Sequence, residues 1–310
     1  MASRLAFRAV LLAFGALALT RAHADQACPA GISATQILLL ESAQIGVPVD
    51  INGTGPFKFV LDTGSQLTVL EPSLAEQLEL PDVGSVGIVS VAGRSTATLA
   101  GVESLRVGIN EIRLHRVAVL DLGAIQRVNP EVRGILGQDF LAHFDLLIDP
   151  QHMLLCFDPT GRMQSKLNGE HIPVLKSAVP TPKSFTEPLL IAAQLEGGGS
   201  DPAVLKLDCG GNVPLLFQSP VLLEGKQHGR GRSSQIREGS ALGRRTTLSF
   251  HPMSPRNVVI GTRRLRGVTF FTTASANSAT RAGEDGLLPI TLFKRVYISN
   301  RDRYVIFDPH

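Results

Sequence analysis

Phe59-Val60-Leu61-Asp62-Thr63-Gly64-Ser65 decides the reading of this chain: an apolar strand runs directly into a carboxylate on a Thr-Gly turn. Aromatic and β-branched residues drive such a run through a core, and the glycine after the acid lets the backbone turn sharply and another backbone come close. A second, imperfect copy, Leu205-Lys206-Leu207-Asp208-Cys209-Gly210-Gly211, follows 146 positions later. Two such turns set face to face bring Asp62 and Asp208 together. Two carboxyls in close contact cannot both ionise cheaply, so one keeps its proton as an acid while the other serves as a base, which is the chemistry that activates a water.

About seventy residues beyond the first turn stands Gly134-Ile135-Leu136-Gly137-Gln138-Asp139-Phe140-Leu141, two apolar residues and a glycine leading into a short helix. Past that helix, the apolar runs 146–148 and 153–157 flank Asp149-Pro150-Gln151-His152 and read as a strand pair. The same order recurs later. Gly286-Leu287-Leu288-Pro289 with 290–296 parallels 134–144, and Tyr304-Val305-Ile306-Phe307-Asp308-Pro309 parallels Met153-Leu154-Leu155-Cys156-Phe157-Asp158-Pro159. A weaker echo links 115–119 to 266–270. Self-similarity of this kind points to a duplicated lobe.

Composition agrees. With 310 residues, 44% apolar and 18% charged, the chain is long enough for two lobes of roughly 130 to 150 residues. The 30 Gly, the 19 Pro and the Val-rich runs 47–51 and 86–91 predict an all-β design, with short helices at 74–80 and 138–144.

At the N-terminus, Arg4 and Arg8 flank the apolar stretch 9–19, and Ala22-His23-Ala24 supplies small residues for cleavage before Asp25. Residues 1–24 therefore read as a signal peptide, the product being exported, periplasmic or secreted. The apolar run is shorter than the ~20 residues a bilayer span needs, so no stable membrane insertion is expected after cleavage. Cleavage removes three arginines and no acid, leaving 27 basic against 27 acidic residues. Charge as a whole thus selects no partner. The segment 224–267 is locally basic, but Phe250 is its one aromatic, so it reads as a solvated loop face and not as a nucleic-acid surface.

Cys28, Cys156 and Cys209 are too widely spread to define a disulfide framework, and one bridge with one free thiol is open. Cys209 has no local base and reads as a small substitute for threonine, not as a nucleophile. The histidines are scattered, with His143 and His152 nine apart around a turn, so neither a metal site nor a cofactor is expected. Ser65 lacks a Gly-x-Ser-x-Gly setting, and Gly197-Gly198-Gly199-Ser200 lacks the lysine of a phosphate loop.

The Asp62-Thr63-Gly64-Ser65 turn, joined to the Gly134-Ile135-Leu136-Gly137 signature, resembles the retropepsin-like aspartic peptidases, here in a bacterial-type, signal-bearing form with two tandem lobes, the second degenerate. The resemblance implies an all-β fold of two tandem retropepsin/pepsin-like β-barrel lobes, 25–178 and 179–310, with an active-site cleft between them. It implies an aspartic-type endopeptidase that takes a peptide or protein substrate in extended conformation, acting as a monomer. Asp62 and Asp208 match the catalytic acids, while Thr63, Gly64, Ser65, Cys209 and Gly210 support them. The Ser65 side chain is expected on the outer oxygen of Asp62, making Asp62 the ionised base and leaving the proton on Asp208. Substrate-covering hairpins are expected over 88–99, turning near Ala92-Gly93-Arg94, and within 224–267, where Gly229-Arg230-Gly231-Arg232 would be flexible.

Three positions depart from the pattern: Cys209 stands for Thr, Gly211 for Ser, and Pro289 for the glycine matching Gly137. A thiol is a weak donor, so half of the cross-lobe grip is expected to be weakened. These departures keep open a catalytically weak or inactive pseudo-peptidase that binds extended peptides by strand pairing, and a peptidase whose first lobes pair between two chains.

Overall fold

Short runs of Val, Ile, Leu and Phe, broken by glycine, proline and Asx turns, fold into strands because half-buried pleated surfaces are where such side chains pack best. The computed structural model describes residues 28–41, 43–91, 93–181, 185–217, 237–239, 248–272 and 283–310. The expected signal peptide, 1–24, and Gly229-Arg230-Gly231-Arg232 lie outside the described residues. Among the described residues, no helix is long and apolar enough to cross a membrane.

The first half supplies Ala34–Gln36 (β1), Leu38–Leu39 (β2), Ile45–Ile51 (β3), Thr54–Leu61 (β4), Val69–Leu70 (β5), Asp82–Ser90 (β6), Gly93–Val107 (β7), Asn110–Val119 (β8), Val132–Leu136 (β9), Asp145–Asp149 (β10) and Leu154–Asp158 (β11). The second supplies Ile172–Pro173 (β12), Leu190–Leu195 (β13), Ala203–Asp208 (β14), Leu215–Leu216 (β15), Arg237–Gly239 (β16), Leu248–Pro252 (β17), Arg256–Ile260 (β18), Arg263–Val268 (β19), Phe271–Thr272 (β20), Gly286–Pro289 (β21), Val296–Ser299 (β22) and Tyr304–Phe307 (β23). Among the described residues the α-helices are Pro72–Gln77 (α1), Gly123–Gln126 (α2) and Gln138–Leu141 (α3).

Among the described residues three sheets result, and the fold is mostly β. The eight-stranded sheet has the order β2-β3-β4-β9-β5-β8-β7-β6. In it β4 is parallel to β9, β5 antiparallel to β9, and β5 parallel to β8. The nine-stranded sheet, β16-β17-β20-β15-β21-β14-β13-β18-β19, repeats those senses: β14 is parallel to β21, β15 antiparallel to β21, and β15 parallel to β20.

Val69 pairs with Ala118 and Leu215 with Phe271, so the 115–119 echo is displaced from 266–270 by two residues. A shift of two keeps every side chain on its face of the strand. The long β7 pairs with β6, β8 and, through Asp50 and Arg106, with β3. Its counterpart is split into β17 and β18 around Met253-Ser254-Pro255, where the proline has no N–H for a ladder.

The six-stranded sheet, β1-β11-β10-β22-β23-β12, takes three strands from each half and joins them at its centre by β10 and β22, Leu147 opposite Tyr297. Its β10 and β11 are the strand pair foreseen around 149–152. Ile172–Pro173, which lies before the boundary drawn at 178, pairs with β23 of the second half. Phe140, Phe144 and Phe157 meet above this sheet at ring separations of 5.3 to 6.0 Å, and one apolar core runs through both halves. A disulfide joins Cys28 to Cys156 on β11, and Cys209 is free and buried.

Both foreseen helices are displaced or shortened. α1 starts earlier than residue 74 because Pro72 presets the first turn, and it stops before residue 80 as Glu79 takes a positive φ of 50°. α3 ends at Leu141 instead of 144. The Asn300 side chain takes the carbonyls of Leu141 and Phe144 at 3.3 and 2.7 Å, satisfying them outside any helix.

Candidate active site

β4 and β14 deliver the two acids at their C-terminal ends. The Asp62 N–H extends the ladder to the Leu136 carbonyl at 3.0 Å, and then the chain turns. Asp62 Oδ1 accepts the N–H groups of Gly64 (2.7 Å) and Ser65 (3.1 Å), while Asp208 Oδ1 accepts that of Gly211 (2.9 Å). The Ser65 hydroxyl does not sit on Asp62. It donates to the Leu67 carbonyl at 2.7 Å, so Ser65 supports the acid through its backbone, as Gly211 does on the other side.

The turns clasp each other. Thr63 Oγ1 donates to the Leu207 carbonyl at 3.0 Å and accepts the Cys209 N–H at 3.1 Å. Cys209 Sγ donates to the Leu61 carbonyl at 3.3 Å and accepts the Thr63 N–H at 3.1 Å. The weakened half-grip foreseen for a thiol is thus fully formed in its connections.

Two glycines set the spacing. A Cβ on Gly64 would lie 2.8 Å from Asp208 Cγ, and one on Gly210 would lie 2.7 Å from both carboxylate oxygens of Asp62. Each turn therefore rests its glycine on the other turn's acid, an approach no side chain permits. Gly137 has a separate duty: a Cβ there would lie 2.8 Å from the Thr68 nitrogen, so the strand of Gly134, Ile135, Leu136 and Gly137 threads hard against the first turn. Pro289 holds the matching place in the second half, opposite Asp208 in the β14–β21 ladder.

Asp62 is half-buried and Asp208 is 8% exposed. Burial, the charge of Asp208 and a hydrogen bond shared with it push the Asp62 carboxyl up to about 8, against opposing effects of Lys206 and the Gly64 N–H. The Ser65 hydroxyl, foreseen on Asp62, is committed to Leu67 and so does not decide which acid of the pair carries the proton. Burial and the nearby Asp62 charge also push the Cys209 thiol far above the usual cysteine range, so it is no nucleophile.

Residues not foreseen from the sequence also converge here. Lys206 donates to the Gly64 carbonyl at 3.0 Å, Gln138 to the Thr63 carbonyl at 3.3 Å, and Gln44 to the Gly210 carbonyl. Lys206 carried a readable signal, a lone charge inside an apolar strand; the glutamines carried none. The hairpin foreseen over 88–99 is β6 with β7, Ser90 opposite Gly93, and Val91 at its tip packs on a second-half cluster that includes Phe217 and Phe250. In the basic segment, Arg263 and Arg264 are paired with Asp308 and Glu196. Among the described residues, no group of three or more His, Cys, Asp and Glu could hold a metal ion.

The family model described as "Aspartyl protease" matches residues 47–140, a segment that holds the Asp62 turn and Gly134 to Gly137 and ends before Asp208. That segment is similar to an aspartyl protease domain. A solved structure, a retropepsin-like aspartic protease from Rickettsia conorii, is 18% identical and is matched over 41% of this chain and 91% of its own, with a TM-score of 0.30. No curated protein matches.

Proposed function

We propose that the chain is a single-chain aspartic endopeptidase, built as two tandem β-barrel lobes, whose water-activating pair is Asp62 and Asp208. The observation that carries this reading is the mutual seating of the two turns: each acid receives backbone N–H donation from its own turn and a glycine from the other.

In this mechanism the pair holds one proton, on Asp62, and binds a water. Asp208 takes a proton from the water as its oxygen bonds to the peptide carbonyl carbon, and Asp62 gives its proton to the carbonyl oxygen. Breakdown reverses the traffic: the leaving nitrogen takes the proton now on Asp208 as the C–N bond breaks, and a hydroxyl of the intermediate returns a proton to Asp62. The pair titrates as a unit, so these are roles within the singly protonated state.

Because both acids come from one chain, the reading favours a monomer over pairing of first lobes. The intact clasp through Cys209 supports an enzyme over a peptide-binding pseudo-enzyme. The Cys28–Cys156 disulfide supports an oxidising compartment, in keeping with export. Substrate would be an extended peptide or protein segment between the halves, beneath the β6–β7 hairpin.

The test is cleavage of an unfolded protein by the wild type, Asp62→Asn and Asp208→Asn, with native mass measured on each. Loss of cleavage in both variants, with the double no worse than either, supports one intramolecular pair. Full activity of Asp208→Asn would assign the chemistry to an intermolecular pair of first turns.

A further inference from the structure

Side chains alternate along a strand, so Lys206 shares the Asp208 face of β14 while Leu205 and Leu207 enter the main core. The corresponding face of β4 carries Val60, in an apolar cluster, below Asp62. A lysine whose side chain is only 6% exposed is costly to bury in such a place unless its ammonium is compensated. Here Nζ donates to the Gly64 carbonyl at 3.0 Å and faces the Glu284 carboxylate at 3.7 Å. Gly64 is the residue whose N–H holds Asp62 and whose Cα rests on Asp208. A side chain rooted in the second half thus grips the first turn at a glycine in contact with both acids.

We propose that Lys206, held by Glu284, is a positioning residue for the Asp62–Asp208 pair: it fixes the Gly64 peptide and keeps a positive charge beside the pair, setting the upper pH at which the shared proton is retained. The link to turnover rests on the peptidase reading; the link to proton affinity does not. Among the described residues, the ionisable groups beside the pair are the Cys209 thiol and Lys206, with Glu284 against Lys206. Asp285 is engaged by the Val204 N–H at 2.8 Å, and Asp139 by the N–H and hydroxyl of Thr68 at 2.7 Å each. The signs follow from charge alone. Without the ammonium, full ionisation of the pair is harder and the limit rises; without the Glu284 charge, a negative charge beside the ammonium is gone and the limit falls.

The experiment is a carbon-13 carboxyl titration of the two aspartates in the wild type, Lys206→Met, Lys206→Arg and Glu284→Gln, alongside the pH profile of cleavage. The upper titration should move up by about 1 pH unit in Lys206→Met and down by a similar amount in Glu284→Gln, with Lys206→Arg near wild type. The alkaline limb of kcat should follow in the same directions. Shifts of the same sign in both variants, or none, would overturn the proposal. If Lys206→Met fails to fold, the downward shift in Glu284→Gln decides alone. Opposite shifts in a protein that cleaves nothing would uphold the positioning role and sink the peptidase reading; cleavage with unmoved titrations would do the reverse.

Discussion

Thr63 and Cys209 hold each other across 146 residues of chain by two backbone-to-side-chain bonds of equal length: Cys209 N–H to Thr63 Oγ1 and Thr63 N–H to Cys209 Sγ, each 3.1 Å. A sulfur atom is a poor donor but a large one, and its size lets it reach both the Thr63 nitrogen and the Leu61 carbonyl. The thiol therefore serves where a hydroxyl would be stronger.

Cys209→Ala removes both sulfur contacts and strands the Thr63 N–H in a buried site. It should cost about 1–3 kcal/mol in urea unfolding, with kcat falling more than KM rises. Cys209→Thr should keep both partners and gain about 0.5–1.5 kcal/mol from a better donor. Thiol reagents should leave the native protein active, since Cys209 is buried and protonated; stoichiometric inactivation of native protein would contradict the site as described.

Asp62 makes stability depend on pH. Its carboxyl is raised from 3.8 to about 8, first by burial and then by Asp208. A folded value above the unfolded one adds stability in full below the unfolded value, and that contribution is lost as pH rises through the folded value. The urea midpoint of the wild type should therefore fall between pH 3.8 and about 8. Asp62→Asn, which cannot ionise, should flatten that fall. Cleavage should be lost over the upper part of the same range, as the pair gives up its last proton.

Gly64→Ala and Gly210→Ala push a methyl group into the acid of the opposite turn. Each should lower kcat by about 100-fold or more through misplacement of the pair, at a stability cost of about 1–3 kcal/mol from overpacking. Steady-state kinetics and urea unfolding on the two variants check this; an active, fully stable Gly210→Ala would show that the turns do not meet as described.

Reduction of the Cys28–Cys156 bond, which closes a separation of 128 residues, should lower stability by about 2–5 kcal/mol. Unfolding with and without reductant measures it, and Cys28→Ser should reproduce the reduced value. The carboxyl pair lies elsewhere, so kcat under native conditions should change little.

Much of this was legible because it is local. The two strand-turn units, the strand pair around 149–152 and the 88–99 hairpin all follow from apolar runs stopped by Gly, Pro or Asx residues. What was not legible depends on partners distant in sequence. Ser65 is the local exception: its hydroxyl has Asp62 three residues before it and the Leu67 carbonyl two residues after, and it takes the latter at 2.7 Å. α3 ends sooner than its sequence suggests, and Asn300, 159 residues beyond Leu141, takes its last carbonyl. Lys206 was visible, yet its meaning lies in Gly64 and Glu284, which only the fold brings to it.

The clasp also limits how the sequence can change over generations. With Thr63 and Cys209 each completing the other's turn, a substitution at one is judged by the residue already present at the other. The halves have come to differ, threonine against cysteine and valine against lysine, yet they can no longer drift independently: a new residue in one turn survives only where the opposite turn already accommodates it.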